Sequence, residues 1–388
     1  MYLLLAASFF VVDGHADTPQ FFLDLDTDLS QAGGQMVDLP KARKGGLGGV
    51  FFSIWVDPDV YGAHPARRAL DLIDAVRLQV ERHPGELLLA TTAAEVEAAQ
   101  KARKLAVLMG VEGGHAIEGD LRLLRNFHRL GVRYMTLTWS NTNDLGDSSG
   151  DMNKPEVKHH GGLTDLGRRA VQEMNRLGML VDVSHVADKT FFDALEVSRA
   201  PVIASHSSSR ALTNHPRNLT DEMLRAVAKN GGVVMVNFFS AFVDEEFRKA
   251  FEALRPELDK AVAEVNAKYK DDPAARTRAW FEAEWRITSR IPRPPFESLI
   301  AHIEHVARVA GVDHAGIGSD FDGISSLPQG IDSAADLPRI AAALQKRGFT
   351  QREVAKIFSG NILRVMRAVE AVAAGSTARG GARAGLSR

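Results

Sequence analysis

The chain is predicted to be an α/β protein, and within that class a (β/α)8 barrel of the TIM type. Short runs of apolar and β-branched residues recur along it, which is typical of parallel strands buried on both faces. Amphipathic helical patterns separate these runs, giving the strand–helix alternation of α/β folds. The alternation extends through most of the 388 residues, a length that suits one large barrel with insertions. A doubly wound open sheet is the alternative, because counting strands does not establish closure.

Eight runs have the character of buried strands, and most of them end in polar residues. They lie at 9–16, 48–56, 105–114, 134–139, 180–185, 201–207, 232–238 and 314–321. In a barrel of this type the carboxyl ends of all strands form one rim, where active sites are built. The polar residues that end these runs are therefore expected to meet at that rim.

The segments between the strands carry the pattern of helices that bury one face. In 66–82, apolar residues recur at the i, i+3, i+4, i+7 spacing. Similar stretches lie at 119–130, 164–177, 187–197, 220–229, 295–310, 333–347 and 350–372. These stretches supply the helices that should surround the barrel.

A single barrel domain is expected to span residues 1–372. Two regions depart from the alternation of strands and helices. Residues 241–294, between the seventh and eighth strands, are too many for a simple connection. We interpret them as a helical insertion that serves as a lid or an oligomer contact, with a solvated surface insertion as the alternative. The segment 373–388 is rich in Gly, Ala and Arg with little to bury, which predicts a disordered tail.

Composition excludes several classes of protein. The net charge of −2 gives no electrostatic attraction to nucleic acid or to an anionic membrane. Cysteine is absent, so disulfides and thiolate metal sites are excluded and any metal must be held by His and carboxylate. The apolar start, MYLLLAASFFVV, is too short for a membrane span and lacks a basic signal-peptide region. We expect a soluble protein, whose compartment (cytoplasm, or periplasm and exterior if the start is a signal remnant) stays open.

Ionisable side chains stand at the predicted carboxyl ends of five strands. They are His15 and Asp17, Glu112, His185, His206 and Asp320. Each alone has an ordinary explanation as a loop residue, a hydrogen-bonded core residue or a helix cap. Their coincidence at one rim is harder to explain without a metal, because buried charges must be paired, neutralised or coordinated. Imidazole and carboxylate together suit Zn²⁺ best, with Mn²⁺ or Co²⁺ as alternatives.

The number of these groups indicates two metal ions. Five ligand-type groups exceed one tetrahedral site, so a carboxylate that bridges two metals is the expected arrangement. Such a pair lowers the pKa of a bridging water toward about 7 and supplies hydroxide for hydrolysis. A further carboxylate beside that water can act as general base and then as general acid.

Seven motifs carry a resemblance to a known family. VDGHAD, GVEGGHAI, RYMTLTW, DVSHV, SHSSSRAL, VMVNF and GSDFDG occur in that order across residues 11–323. They resemble the membrane (renal) dipeptidase family, peptidase family M19, a binuclear-zinc group of amidohydrolase-like barrels. The resemblance covers most of the chain outside 241–294 and the tail. GNILRV at 360–365 resembles the family's last helix, where we expect a packing role.

The resemblance implies a zinc-dependent dipeptidase in which a metal-bridging hydroxide attacks the peptide bond. By position, His15 and Asp17 bind one zinc, and His185 and His206 bind the other. Glu112 bridges the two ions. The implied substrate is a small dipeptide, and a homodimer is left open.

Two further residues take roles from the resemblance. Asp320, the first carboxylate of SDFDG, matches the family residue that contacts the bridging water and acts as the catalytic base. Arg217 matches the arginine that pairs with the terminal carboxylate of the substrate, a task suited to a planar guanidinium. Asp322 is the chief rival for the base, because it lies two residues beyond Asp320. Asp13 and Asp182 are expected to orient neighbouring ligands.

One substrate-binding position departs from the family pattern. The family motif normally reads TLTH, with a histidine near the reacting centre, whereas Trp139 stands there in this chain. An indole donates one hydrogen bond but cannot carry positive charge, and losing the histidine could cost about 3–4 kcal/mol of transition-state stabilisation. Two alternatives therefore stay open: an amidohydrolase acting on another small amide, such as an N-acyl amino acid, and a metal-loaded barrel of low activity that serves in binding or biosynthesis.

Overall fold

Nine parallel strands form the sheet in the computed structural model, which describes residues 10–384 and the side chains of 10–375. They are β1 (Val11–Ala16), β2 (Leu47–Trp55), β3 (Leu87–Leu89), β4 (Leu105–Glu112), β5 (Val132–Thr136), β6 (Leu180–Asp182), β7 (Ile203–Ala204), β8 (Val233–Val236) and β9 (Ala315–Ile317). Neighbouring strands pair in the order β2-β1-β9-β8-β7-β6-β5-β4, and β2 also pairs with β4. Eight strands therefore close into a barrel, which confirms the predicted fold class.

The ninth strand, β3, is not among the eight predicted runs. It pairs only with the first residues of β4, through Leu87–Leu105 to Leu89–Val107, and lies outside the closed ring. Its three leucines carry no β-branched signal, and so short an apolar run does not distinguish strand from helix. The closed ring itself consists of the strands that the sequence predicts.

Successive strand residues point alternately into the barrel and toward the surrounding helices, as the pleat requires. In β2, Phe51 packs inside the barrel, whereas Val50 and Phe52 belong to the layer between barrel and helices. All three are fully buried. Burial of both strand faces explains why these strands read as continuous apolar runs rather than alternating ones.

Sixteen α-helices lie within the described residues. They are α1 (Pro19–Asp24), α2 (Leu39–Gly45), α3 (Pro58–Tyr61), α4 (Pro65–Arg82), α5 (Ala93–Lys101), α6 (Leu121–Arg129), α7 (Asp165–Leu177), α8 (Asp188–Val197), α9 (Asp221–Asn230), α10 (Ser240–Val243), α11 (Glu245–Lys268), α12 (Pro273–Thr288), α13 (Phe296–Val309), α14 (Leu337–Lys346), α15 (Gln351–Ala355) and α16 (Asn361–Ala384). Every predicted helical stretch overlaps at least one of them, whereas α1, α2, α3 and α5 have no counterpart among the predicted stretches. None of the described helices is long and apolar enough to cross a membrane.

Local signals fix the ends of several helices. Thr164 and Thr220 accept hydrogen bonds from the first turns of α7 and α9, as N-cap threonines do. Gly178 and Gly231 follow the same two helices with φ of 78° and 84°, a left-handed conformation that glycine adopts without strain. These caps set where each helix returns the chain to the barrel.

The last helix closes the amino end of the barrel. Ile362, Val365 and Met366 of α16 pack in the same cluster as Val12 and Phe51 of the barrel interior. The packing role expected for GNILRV is thereby confirmed. The helix continues to Ala384, whereas the composition after 372 predicts disorder; five alanines in 373–384 favour the helix and three glycines oppose it.

Two terminal segments lie outside the described residues. They are 1–9, which include the predicted signal remnant and the start of the first predicted strand, and 385–388, the end of the predicted tail. The region 241–294 is helical, as predicted: α10, α11 and α12 fill most of it, between β8 and β9. α11 and α12 pack against each other, and α12 also contacts α1 at the carboxyl rim.

Candidate metal centre

The candidate ligands converge on Glu112 at the end of β4. The Oε2 atom of Glu112 lies 3.3 Å from the Nε2 atom of His15, and Asp17 Oδ2 lies 3.3 Å from the same nitrogen. The Oε1 atom of Glu112 lies 2.9 Å from His185 Nε2 and 3.4 Å from His206 Nε2. Each oxygen of one carboxylate thus faces a different set of donors.

Strand geometry explains why these residues meet. His15 and Asp17 are two residues apart at the end of β1, so their side chains point the same way. His185 follows β6 and Asp320 follows β9, and both have left-handed backbone conformations with φ of 68° and 64°. A left-handed conformation is uncommon for residues other than glycine, although Asp and His adopt it more readily than most, and here it turns both side chains at strand ends.

Some of the donor atoms have no hydrogen-bond partner, as expected of atoms that bind a metal. His15 Nε2 and Asp17 Oδ1 are buried and have no hydrogen-bond partner. The Nε2 atoms of His185 and His206 lie 2.9 Å apart, a hydrogen bond in which one ring donates and the other accepts, and both atoms also lie near Glu112 Oε1. Three groups of donor atoms lie within 4.8 Å of one another: His15, Asp17 and Glu112; Glu112, His185 and His206; His15, His206 and Asp320. Buried imidazole and carboxylate donors at such spacing suit Zn²⁺.

Burial and neighbouring charges shift the pKa values of these groups in different directions. Burial and the positive charge of Arg217 lower the pKa of His185 to about 3, and burial and the charge of His15 lower the pKa of His206 well below its usual value. Burial alone would raise the pKa of Glu112, but His15 and the hydrogen bonds of the histidines lower it well below the ordinary range. Neutral imidazoles and an ionised carboxylate are the forms that bind metals, which suits His185, His206 and Glu112. Burial disfavours a charge on His15, but Tyr134, Glu112 and Asp17 raise its pKa well above the usual value, so a metal would displace a proton there.

Two of the histidines are fixed by side chains behind them. The Nδ1 atom of His15 lies 2.7 Å from the hydroxyl of Tyr134, a fully buried residue. The Nδ1 atom of His206 lies 2.7 Å from the hydroxyl of Ser205, which donates to Asp182 at 2.6 Å. Such contacts fix the ring orientation and leave Nε2 free for a metal. Asp182 acts as expected, although it reaches His206 through Ser205.

Asp13 supports the site through the backbone. Its carboxylate accepts hydrogen bonds from the backbone N–H of Ser319 at 2.8 Å and of His15 at 3.3 Å. These bonds join β1 to the segment that carries Asp320. The expected orienting role of Asp13 therefore concerns two strand ends rather than a ligand ring.

Asp320 lies beside the ligands and has the properties of a proton acceptor. Its Oδ1 atom is 3.9 Å from His15 Nε2, and its Oδ2 atom accepts a hydrogen bond from Asn237 at 2.8 Å. Burial and the negative charges of Asp17 and Glu112 raise the pKa of Asp320 to about 7, against the opposing charge of His15. A carboxyl with a pKa near neutrality is suited to general acid–base catalysis.

Asp322, the rival for the base, is turned away from the ligands. Its carboxylate accepts hydrogen bonds from the hydroxyl of Thr18 at 2.7 Å and from the backbone N–H of Met36 at 2.5 Å. These contacts tie the loop after β9 to the segment after β1. Asp322 therefore shapes the loop, and Asp320 keeps the position beside the ligands.

Arg217 is a buried cation without a carboxylate at ion-pair distance among the described residues. Its guanidinium donates to the backbone carbonyl of His206 at 3.2 Å and weakly to Ser207 at 3.4 Å, while its Nε atom has no partner. Burial lowers its pKa to about 10, opposed by the charges of Asp320 and Glu112. A buried guanidinium with spare donors has the chemistry to pair with a carboxylate.

Trp139, the position that departs from the resembled motif, lies beside the candidate ligands. Its ring centroid lies 6.3 Å from that of His185 and 5.1 Å from that of Trp55. The residue is half-buried. The indoles of Trp139 and Trp55 line the His185 side of the candidate metal centre with aromatic rings.

Several further contributors lie within the motifs, where the sequence alone assigns them no role. Tyr134, Ser205 and Asn237 lie in or next to RYMTLTW, SHSSSRAL and VMVNF. The usable signal is adjacency: Ser205 precedes a candidate ligand, and Asn237 ends a strand at the same rim. Tyr134 gives no such signal, because a strand tyrosine usually belongs to the core.

Three solved structures are similar to this chain over nearly their whole length. The probable dipeptidase PvdM from Pseudomonas aeruginosa has a TM-score of 0.80 at 24% identity, covers 96% of this chain and 98% of its own, and supports the fold. A metallopeptidase from Rhodobacter sphaeroides, solved with a phosphinate mimic of the dipeptide L-Ala-D-Ala, has a TM-score of 0.74 at 27% identity, with coverages of 93% and 99%. Dipeptidase AC, a metallopeptidase of family M19, has a TM-score of 0.73 at 27% identity, with the same coverages.

The family comparison agrees with the motifs. The model of the membrane dipeptidase family matches residues 3–380, nearly the entire chain. Buried His, Asp and Glu side chains at the carboxyl rim are the donors that a metallopeptidase requires. The chain therefore belongs to the membrane dipeptidase family, peptidase family M19.

Proposed function

We propose that this protein is a zinc-dependent dipeptidase that holds two zinc ions, with Glu112 shared between them. The observation that carries the proposal is the division of the Glu112 carboxylate, whose Oε2 faces His15 and whose Oε1 faces His185 and His206. Asp17 adds a carboxylate on the Oε2 side. The Rhodobacter sphaeroides metallopeptidase was solved with a dipeptide mimic, which supports a dipeptide as the substrate here.

The residues of this chain divide the remaining work. Bound zinc supplies Lewis acidity and water activation at neutral pH. Asp320 accepts the proton of the attacking water and returns it to the leaving amine, because its carboxyl lies beside the ligands. Arg217 binds the terminal carboxylate of the dipeptide with its spare donors. The requirement for a free carboxylate places the scissile bond close to the carboxyl end of the substrate.

Trp139 is proposed to bind the substrate through its ring rather than through a charge. Its indole lies beside Trp55 and His185, so it offers an apolar surface next to the reacting bond. It cannot replace a protonated imidazole in stabilising an oxyanion. The replacement therefore favours N-acyl amino acids as the second candidate class of substrate, since these also place an apolar group at the scissile amide.

Asp320→Asn tests the assignment of the base. The variant should keep its bound zinc while losing about 10²–10⁴-fold in kcat, the range for removal of a general acid–base group. Zinc per chain and dipeptide turnover are the two measurements. Loss of zinc on this substitution would show that Asp320 is a ligand rather than the base.

A substrate panel tests the function itself. Purified protein loaded with Zn²⁺ is assayed against L,L- and L,D-dipeptides and against N-acyl amino acids of matched size. Turnover of dipeptides supports the proposal, and turnover of N-acyl amino acids alone supports the second candidate. Full zinc content with no turnover of either class overturns the assignment as a dipeptidase, and Trp139→His then reports whether the missing histidine is the reason.

A further inference from the structure

The first helix of the insertion lies against the arginine that is proposed to bind the substrate. Phe242 belongs to α10, and the Cζ atom of Arg217 lies over its ring, 5.4 Å from the centroid. A guanidinium at this distance from a ring face is attracted by the negative face of the π system. Phe242 is half-buried, whereas Arg217 is buried. The ring therefore contacts a cation that is largely removed from water.

Side-chain and backbone contacts fix the Phe242 ring relative to Arg217. The centroid of the ring lies 4.5 Å from that of His215 and 5.0 Å from that of Phe239. The backbone carbonyl of Phe242 accepts a hydrogen bond from the side chain of Asn218 at 2.9 Å. Asn218 is fully buried and directly follows Arg217 in the chain. The segment that carries the arginine is therefore bonded to the helix that carries the ring.

His215 makes a second contact with the same segment. Its Nδ1 atom accepts a hydrogen bond from the backbone N–H of Arg217 at 3.1 Å, so that nitrogen carries no proton and the imidazole is neutral. Burial and the charge of Arg217 lower the pKa of His215 to about 3, in agreement with the neutral form. The rings of Phe242 and His215 therefore add no charge beside Arg217.

The helix that carries Phe242 is anchored on both sides. The backbone N–H of Ser240 donates to the carbonyl of Ser326 at 3.0 Å, and the hydroxyls of the same two residues lie 2.9 Å apart. Phe239, just before α10, packs against Phe251 of α11 with a centroid distance of 5.3 Å. α10 is thus joined to the loop after β9 and to the rest of the insertion. The rings of Phe242, Phe239 and Phe251 form a row that begins at Arg217.

An aromatic face suits an arginine whose task is to bind an anion. A carboxylate in the place of Phe242 would neutralise the guanidinium and compete with the anion, whereas a ring stabilises the positive charge and leaves the N–H donors free. We propose that Phe242 is a positioning residue, whose ring holds the Arg217 guanidinium in the orientation that binds the carboxylate of the substrate. This inference rests on the proposed dipeptidase function and extends it, because it gives the insertion a part in substrate binding.

One matched pair of substrates isolates the carboxylate. Ala-Ala and its amide, Ala-Ala-NH2, differ in the charge at the carboxyl end of the molecule. Both are assayed with the zinc-loaded wild type, Phe242→Leu, Phe242→Tyr and Phe251→Leu. Leucine removes the ring and keeps an apolar side chain, tyrosine keeps the ring, and Phe251→Leu makes the same change at the far end of the row. Zinc per chain and the thermal unfolding midpoint show that each variant is folded.

Phe242→Leu should raise KM for Ala-Ala about tenfold with little change in kcat, since the ring acts on binding of the carboxylate. KM for the amide, or its inhibition constant if it is not hydrolysed, should stay at the wild-type value. Both values should also stay unchanged in Phe242→Tyr and Phe251→Leu. A purely structural role would change the acid and the amide alike and would be shared by Phe251→Leu. Equal changes for the acid and the amide, or no change in either, would overturn the inference.

Arg217→Met tests whether Phe242 acts through the guanidinium. Methionine removes the charge that the ring attracts, so Arg217→Met should lower the preference for Ala-Ala over the amide. Adding Phe242→Leu to this variant should change the remaining preference by less than about twofold, because the effects of residues that act as a unit are not additive. A further loss as large as that in the wild-type background would contradict a role through Arg217.

Failure of the proposed function would be seen separately. If the zinc-loaded wild type hydrolyses no dipeptide, that function fails, and calorimetric binding of Ala-Ala and its amide then tests Phe242. Tighter binding of the acid than of the amide, weakened in Phe242→Leu and kept in Phe251→Leu, would support the inference. Equal or absent binding of the two compounds by the wild type, or an unchanged preference in Phe242→Leu, would contradict it.

Discussion

The two sides of Glu112 are built differently. On the Oε1 side, His185 and His206 follow neighbouring strands and contribute two imidazoles whose pKa values are lowered by burial. On the Oε2 side, His15 and Asp17 come from one strand and add a carboxylate. The Oε2 side therefore carries more negative charge and should hold a divalent cation more tightly. Glu112 thus lies between two donor sets that differ in composition and charge.

Removing the shared group should have the largest effect. Glu112→Gln keeps the size of the side chain but replaces an ionised oxygen with an amide nitrogen, so both sides lose a charged ligand. Zinc affinity should fall on both sides by more than the roughly 10–100-fold typical of changes behind the ligands. Zinc per chain, measured after dialysis against a weak chelator, reports the loss. Glu282→Gln, an exposed substitution, is the control and should keep all its zinc.

Retention of one full zinc ion per chain in Glu112→Gln would contradict the sharing of Glu112. That result would mean that Glu112 belongs to one donor set alone. The thermal unfolding midpoint of the variant should be compared in the presence and absence of zinc, because bound metal stabilises the folded state by mass action. If the metal-free variant has the same unfolding midpoint as the metal-free wild type, the variant has kept its fold.

Removing one ligand from each side should have an intermediate and unequal effect. Asp17→Asn should lose the zinc of the Oε2 side, and His206→Asn the zinc of the Oε1 side, so each variant should keep one ion. Because the Oε2 side has the extra carboxylate, the wild type should release the Oε1 ion first when a chelator is titrated in. Stepwise release followed by zinc analysis measures this order. Simultaneous release of both ions, or prior release from the Oε2 side, would contradict the charge argument.

The smallest effects should come from the hydroxyls behind the histidines. Tyr134→Phe removes the partner of His15, and Ser205→Ala removes the link between His206 and Asp182. Each should weaken zinc on its own side about 10–100-fold and leave the other side unchanged. Zinc competition with a coloured chelator gives both affinities. Equal weakening of both sides by either variant would show that the two donor sets are not independent.

The candidate metal ligands can be predicted from the sequence because they lie at the ends of strands. His15, Glu112 and His206 each end an apolar run, and parallel strands bring such ends to one rim, so the amino-acid sequence alone brings the ligand candidates together. Closure of the barrel cannot be read from the same runs, because it depends on the pairing of β2 with β4.

What sequence reasoning misses depends on packing between distant segments. Tyr134 reaches His15 because it fills the space beside Gly110, where a Cβ atom would lie 2.0 Å from its ring. Phe281 reaches Phe21 only because the insertion folds back over α1. Neither arrangement has a local signature, since the partners lie more than a hundred residues apart in sequence.

The anomalous diffraction of crystals grown with Zn²⁺ tests the sharing of Glu112 most directly. Two zinc peaks are expected, one between Glu112 Oε1 and the rings of His185 and His206, the other between Glu112 Oε2, His15 and Asp17. A single peak, or two peaks with both Glu112 oxygens on the same ion, would contradict the sharing of Glu112.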